Sequence, residues 1–156
     1  MTTILHPTRG GEASYPNQDR AIAIAKKNNA HLIFLYVTDI QFLNRIASQV
    51  VPDVVAKEID DMGDFLLAMA QERAQKECVE VSTIVMRGVF SDVLQAVIVE
   101  HEIDTLILGS STSQTGHTTL DYLKDLSQEI NAQTNAAVLV LSEGKVAYST
   151  SSIPIE

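Results

Sequence analysis

The alternation of short β-rich runs with longer helical ones constrains this chain more than any single motif. "TTILHP" (residues 2–7) reads as a strand and "RGGEAS" (9–14) as the turn after it. "YPNQDRAIAIAKKNN" (15–29) has helical spacing, with Ala21, Ile22 and Ala25 on its inner face. "HLIFLYV" (31–37) is rich in branched and aromatic residues and reads as a second strand. A longer helical pattern runs from about 54 to 76. In it Val55, Ile59, Met62, Leu66 and Met69 recur at steps of four and three, forming one apolar stripe, and the acids of "DVVAKEIDDMGD" form a solvated face. "VEVSTIVM" alternates as a third strand, and "SDVLQAVIVEHE" follows as a helix with Ser91 as its N-cap. "DTLILG" is a fourth strand, "TTLDYLKDLSQEINAQT" a fourth helix and "AAVLVL" (136–141) a fifth strand.

Strand and helix in strict turn imply right-handed crossovers and an α/β fold. The expected sheet is five-stranded and parallel, with helices on both faces: a Rossmann-like, doubly wound sandwich. The near-continuous apolar strands "LIFLYV" and "AVLVL" fit burial on both faces. One α/β domain is expected over residues 1–142. The remainder, 143–156, reads as a polar, loosely held tail. In such folds ligands bind beyond the carboxyl ends of the strands near a topological switch point. The loops after the first, second and fourth strands are therefore the places to look for a site.

The chain of 156 residues is long enough to bury a core without staples, and at 46% apolar it is not a disordered sequence. A net charge of −9 disfavours a phosphate-tracking surface, so no nucleic-acid partner is expected. No run is long enough to cross a bilayer, and the N-terminus lacks the pattern of a secretory signal. A single cysteine, Cys78, fits a reducing compartment. These features point to a cytoplasmic protein without a membrane partner.

"LGSSTSQTGH" (108–117), just after the fourth strand, has the composition of a phosphate-binding loop: two glycines, several hydroxyls and no bulky apolar side chain beyond its first residue. Together with "TILHPTRGGEAS", "MRGVFSDVLQAVIVEHEIDTLILGSS" and "LSQEINAQTNAAVLVL", it resembles the universal stress protein family over residues 2–141. The resemblance implies a five-stranded parallel α/β sandwich and a homodimer joined through the last strand. It implies a stress-response or regulatory protein, with protein partners possible. Some members bind ATP through a glycine, two residues, a second glycine, nine residues, then Gly-Ser or Gly-Thr. They also use an aspartate after the first strand.

Matched residue by residue, the motif is degenerate. Gly109 and Ser110 stand in place, but Thr112 occupies the second glycine position and the next glycine is Gly116. Nine residues on from Gly116 lie Leu126 and Ser127; aligned backwards from "AAVLVL", Lys124 and Asp125 stand there instead. Either way the last glycine is missing, and with it a backbone that a phosphate can approach without meeting a Cβ. Arg9 stands where nucleotide-binding members carry aspartate. Arginine only donates hydrogen bonds, so the adenosine contact is inverted. The resemblance thus implies a non-enzymatic, dimeric member that does not hold ATP in the usual mode. The alternative is a member binding ATP or AMP through a modified loop, with Thr8, Arg9, Val37, Gly109, Ser110, Gly116 and Ser127 as the candidate nucleotide or anion site.

A third reading, an adenylating or hydrolytic enzyme, rests on "RGGEAS" alone. That turn matches a pyrophosphatase-type loop only at Gly10, Gly11 and Ser14. There is no Walker string and no serine–histidine–acid pattern. His6, His31, His101 and His117 show no metal-ligand spacing, so no catalytic residue and no metal site is expected.

Overall fold

A computed structural model of the chain describes residues 2–39, 52–110 and 119–150. The elements run β1 (Thr3–Pro7), α1 (Tyr15–Lys27), β2 (His31–Asp39), α2 (Pro52–Lys76), β3 (Val81–Gly88), α3 (Phe90–Glu100), β4 (Thr105–Ser110), α4 (Leu120–Thr134), β5 (Ala137–Ser142) and β6 (Lys145–Ser149). The expected α/β sandwich is present. Its sheet has the order β3-β2-β1-β4-β5-β6, parallel except for β6. Among the described residues no helix is long and apolar enough to cross a membrane.

Side-chain alternation divides the core into two layers. Leu5, Leu35, Leu106, Leu108, Val138 and Val140 face α3 and α4, where Leu94, Val97, Leu123 and Ile130 meet them. Ile4, Leu32, Phe34, Ile107, Leu139 and Leu141 face α1 and α2. Within that second layer Arg73 of α2 stacks on the Tyr15 ring, 4.1 Å from its centroid, and pairs with Asp19.

Three local expectations are corrected. The sheet has six strands rather than five, because Lys145–Ser149 of the supposed loose tail pairs antiparallel with β5. Glu143 (φ 50°) and Gly144 (φ 81°) form the turn, both at the positive φ that tight two-residue hairpins require. Consequently "AAVLVL" is not a sheet edge; β6 occupies that flank. Second, α3 begins at Phe90 with Val89 as its N-cap, so Ser91 lies inside the first turn and caps nothing.

The third correction concerns α2. The side packed on the sheet is Ala56, Leu67, Ala70 and Ala74, roughly one residue's rotation from the stripe of large apolar residues. Met62 and Met69 of that stripe are exposed, at 57% and 37%. Small residues win this face because the helix lies close to bulky strand side chains. At Gly63 a Cβ would stand 2.6 Å from Cδ1 of Tyr36.

Gly63→Ala should therefore destabilise the protein. An overpacking cost of about 1–3 kcal/mol exceeds the gain of about 1 kcal/mol from replacing a mid-helix glycine. In a Tyr36→Ala background the same change should become stabilising. Melting temperatures of the four proteins decide it, and a rise for Gly63→Ala alone would contradict the close approach.

Candidate functional site

The candidate site lies where β1 and β4 part company. β1 pairs with β2 over five residue pairs and β4 with β5 over six, whereas β1 and β4 share only Ile4↔Thr105 and Leu5↔Leu106. The crossovers reverse direction here, so this is the topological switch point at which such sheets open a crevice.

His6 is the first side chain past the last shared pair. Its Nδ1–H donates to the Ile107 carbonyl oxygen at 2.8 Å, across the gap the backbone ladder has left. A carbonyl can only accept, so Nε2 carries the lone pair. That nitrogen is buried without a hydrogen-bond partner among the described residues. The ring meets Phe34 edge-on, with centroids 5.9 Å apart. Burial pushes the imidazole down to about 4, only partly offset by the bond to Ile107.

From the first turns of α1, Asn17 and Gln18 enter the same region, both buried. Gln18 Nε2 donates to Thr8 Oγ1 at 2.9 Å, and Thr8 Oγ1 also accepts from the Gly10 N–H at 3.2 Å. Gln18 Oε1, like His6 Nε2, is a buried acceptor without a partner among the described residues. Asn17 Oδ1 accepts from the Gly144 N–H at 2.8 Å, which fastens the β5–β6 turn to α1. The other side of Asn17 lies against Gly109: a Cβ there would stand 2.8 Å from Asn17 Nδ2. The open side of this motif glycine is thus taken by a protein side chain.

Gly10 is held similarly. Its φ is 74° and a Cβ would meet Leu66 at 2.5 Å, so "RGG" is a turn that demands glycine for both conformation and space.

The structure brings Thr8, Gly109 and Ser110 to the carboxyl ends of β1 and β4. The Ser110 hydroxyl donates to the Leu141 carbonyl at 3.1 Å. Arg9 is exposed in the β1–α1 turn, and Val37 is half-buried near the end of β2. Ser127 is fully buried within α4, where its hydroxyl donates to the Leu123 carbonyl at 2.5 Å. It is not presented to a ligand. Gly116 lies outside the described residues. Sequence reading passed over His6, Asn17 and Gln18 as site residues. Their available signal was polarity at positions where β1 and α1 are otherwise apolar.

On the β2–β3 side, Arg87 donates to Asp60 Oδ2 from Nε at 2.8 Å and from a terminal nitrogen at 2.6 Å. Thr38 donates to Oδ1 at 2.9 Å. The Arg87 guanidinium holds the Asp60 carboxyl below the usual carboxylate range, outweighing the opposing effect of burial, and the Thr38 hydroxyl adds to the lowering. This network ties α2 to the ends of β2 and β3.

The sequence profile of the universal stress protein family matches residues 1–142. The chain belongs to the universal stress protein family. Solved structures carry the same fold. A universal stress protein family member from Burkholderia pseudomallei aligns at 16% identity over 90% of this chain and 95% of its own, with a TM-score of 0.66. The universal stress protein UspA from Lactobacillus plantarum aligns at 22% over 90% and 97%, TM-score 0.64. A family protein from Arabidopsis thaliana with AMP bound aligns at 14% over 91% and 92%, TM-score 0.56. No curated protein matches the chain.

Two predictions follow from this packing. Gly109→Ala should cost about 1–3 kcal/mol in the native background and much less when Asn17 is alanine, because the two sites share one space. Equal costs in both backgrounds, measured by denaturant unfolding, would remove Asn17 from that space.

The second concerns acid. The folded-state pKa of His6 lies below its ordinary value of 6.5, so the unfolded chain binds the extra proton first. Stability should be full above pH 6.5 and fall progressively down to about pH 4. The loss is on the order of 3 kcal/mol, and His6→Leu should flatten that interval. Asp60, whose pKa is also lowered, adds its own loss only at more acidic pH. An unchanged slope in His6→Leu would contradict a neutral, buried imidazole.

Proposed function

We propose that this universal stress protein acts by association, as a homodimeric stress-response or regulatory protein without catalytic turnover. On this reading it does not hold ATP in the usual family mode. The observation that carries the reading is the packing at Gly109, where the Asn17 amide stands against the side a Cβ would occupy; on this reading it takes the place of a phosphate. Two further features support it. Arg9 offers only donors where adenosine's own donors require an acceptor. Ser127 spends its hydroxyl on Leu123 inside α4.

The proposed dimer joins two copies through the last strand of the sheet. In this fold that strand is β6, whose residues Lys145, Val146 and Ala147 are exposed, while β5 is already paired on both sides. The proposed compartment is the cytoplasm, and other proteins are the proposed partners.

A second reading has one specific support: the Arabidopsis relative carries AMP on the same fold. On that reading Thr8, Arg9, Val37, Gly109 and Ser110 line a modified site for AMP or ATP, with Gly116 contributing from beyond the described residues.

Calorimetric titration with Mg-ATP and with AMP separates the two, with light scattering on the same samples. The expected results are no heat, no rise in melting temperature and a mass twice the 17.0 kDa of one chain. Micromolar binding would instead stabilise the protein by roughly 2.7 kcal/mol at a hundredfold excess over Kd. That outcome would overturn the first reading in favour of the second. A single-chain mass would remove the dimer.

A further inference from the structure

The outward side of α2 is unusual for an acidic, solvated helix. Val54, Met62 and Phe65 are 55%, 57% and 65% exposed, and Met69 37%. At about 3.6 residues per turn these four fall within one narrow arc, turned well away from Ala56, Leu67, Ala70 and Ala74. The stripe runs roughly 22 Å along the helix at about 1.5 Å per residue. Ile59 and Leu66, half-buried, form one shoulder and carry the apolar surface round toward the sheet. Met62, Phe65 and Met69 stand at i, i+3 and i+7, the spacing by which one helix engages another.

The setting of this stripe is strongly acidic. Glu58 and Glu72 fall in the same arc, with Asp61 and Asp64 along its free margin, all four exposed. Over residues 53–64 there are five carboxylates (Asp53, Glu58, Asp60, Asp61 and Asp64) against the single Lys57.

We propose that this face docks an amphipathic helix of a partner protein, whose apolar side is flanked by lysines and arginines. Charge selects that occupant over a second copy. Two copies meeting here would press acidic margin against acidic margin between chains that each carry −9. A cationic helix gains from the same field, both in encounter rate and at the rim. Methionine and phenylalanine supply the adaptable apolar contact, since a thioether moulds to varied neighbours. Val54, Met62, Phe65 and Met69 are not among the residues lining the β1–β4 crevice, and the proposal does not depend on whether that crevice takes a nucleotide.

The test uses the full chain and a fluorescein-labelled synthetic peptide of two repeats of Leu-Lys-Lys-Leu-Leu-Lys-Leu, read by anisotropy near physiological salt. A companion peptide carries glutamate in place of lysine. The lysine peptide should bind at micromolar concentration and the glutamate peptide should not. The double variant Met62→Gln/Phe65→Gln, which changes no charge and touches only exposed side chains, should weaken binding at least tenfold. Val99→Gln, at an equally exposed apolar position on α3, should leave it unchanged. Several results would overturn the proposal: no binding, equal binding of both peptides, or full binding by the double variant. A native dimer that the double variant splits, seen by light scattering, would make a second copy the occupant and overturn it too.

Discussion

The short contact between β1 and β4 governs the carboxyl end of this molecule. β1 leads outward through β2 to β3, while β4 leads the other way to β5, so the crossovers diverge at the line between them. After Leu5 and Leu106 the strands no longer pair, and a backbone carbonyl in the middle of the sheet needs a new donor. The His6 imidazole supplies it. That substitution has consequences. A ring placed so deep stays neutral, and its second nitrogen remains buried. From α1, Asn17 and Gln18 reach the same strand ends, Asn17 against Gly109 of β4 and Gln18 to Thr8 after β1.

Asn17 links three segments distant in sequence: it belongs to the first turn of α1, fits the missing side chain of Gly109 on β4 and holds Gly144 of the β5–β6 turn. The sixth strand is thereby coupled to the switch point. Further along, the Val138 N–H and carbonyl pair with Thr150, and Tyr148 packs against the layer built on α3 and α4. Covering the flank of β5 in this way removes an apolar edge from the middle of the chain's longest hydrophobic layer, and it leaves as the sheet's boundary a strand bearing Lys145.

Most of the architecture was legible because parallel strands buried on both faces must be apolar runs, and helices between them must be periodic. What escaped has physical causes. "SEGKVAYS" looked like a tail because its residues are polar and a hairpin strand on a sheet margin needs little burial; its signal was the Glu-Gly pair at the turn. The packed side of α2 escaped because periodicity finds the largest apolar residues, whereas close approach selects the smallest. Ala56, Gly63, Ala70 and Ala74 are weak hydrophobes whose value appears only when Phe34 and Tyr36 lie opposite. Ser91 has the right chemistry for a cap, but the chain enters the helix two residues earlier, at Val89. Thr8, Gly109 and Ser110 come to one end of the sheet because they sit at the carboxyl ends of β1 and β4. Ser127 was found by counting in a motif, and counting carries no information about which side of α4 it occupies.

Gly109 shows how one residue can serve two chemistries. A glycine after a central strand lets a phosphate reach the backbone, and it equally lets a neighbouring side chain close over the strand end. In the sequence these uses look alike, and they separate only through what stands 2.8 Å away, which here is an amide of the protein itself. On the proposed reading, a crevice occupied from within contributes stability instead of recognition. The apolar surface that such a domain still presents to other molecules then lies on its outside. On α2 it lies on the side opposite the small residues that seat the helix. The same rotation of the helix produces both features, because turning alanine and glycine toward the sheet turns methionine and phenylalanine toward solvent.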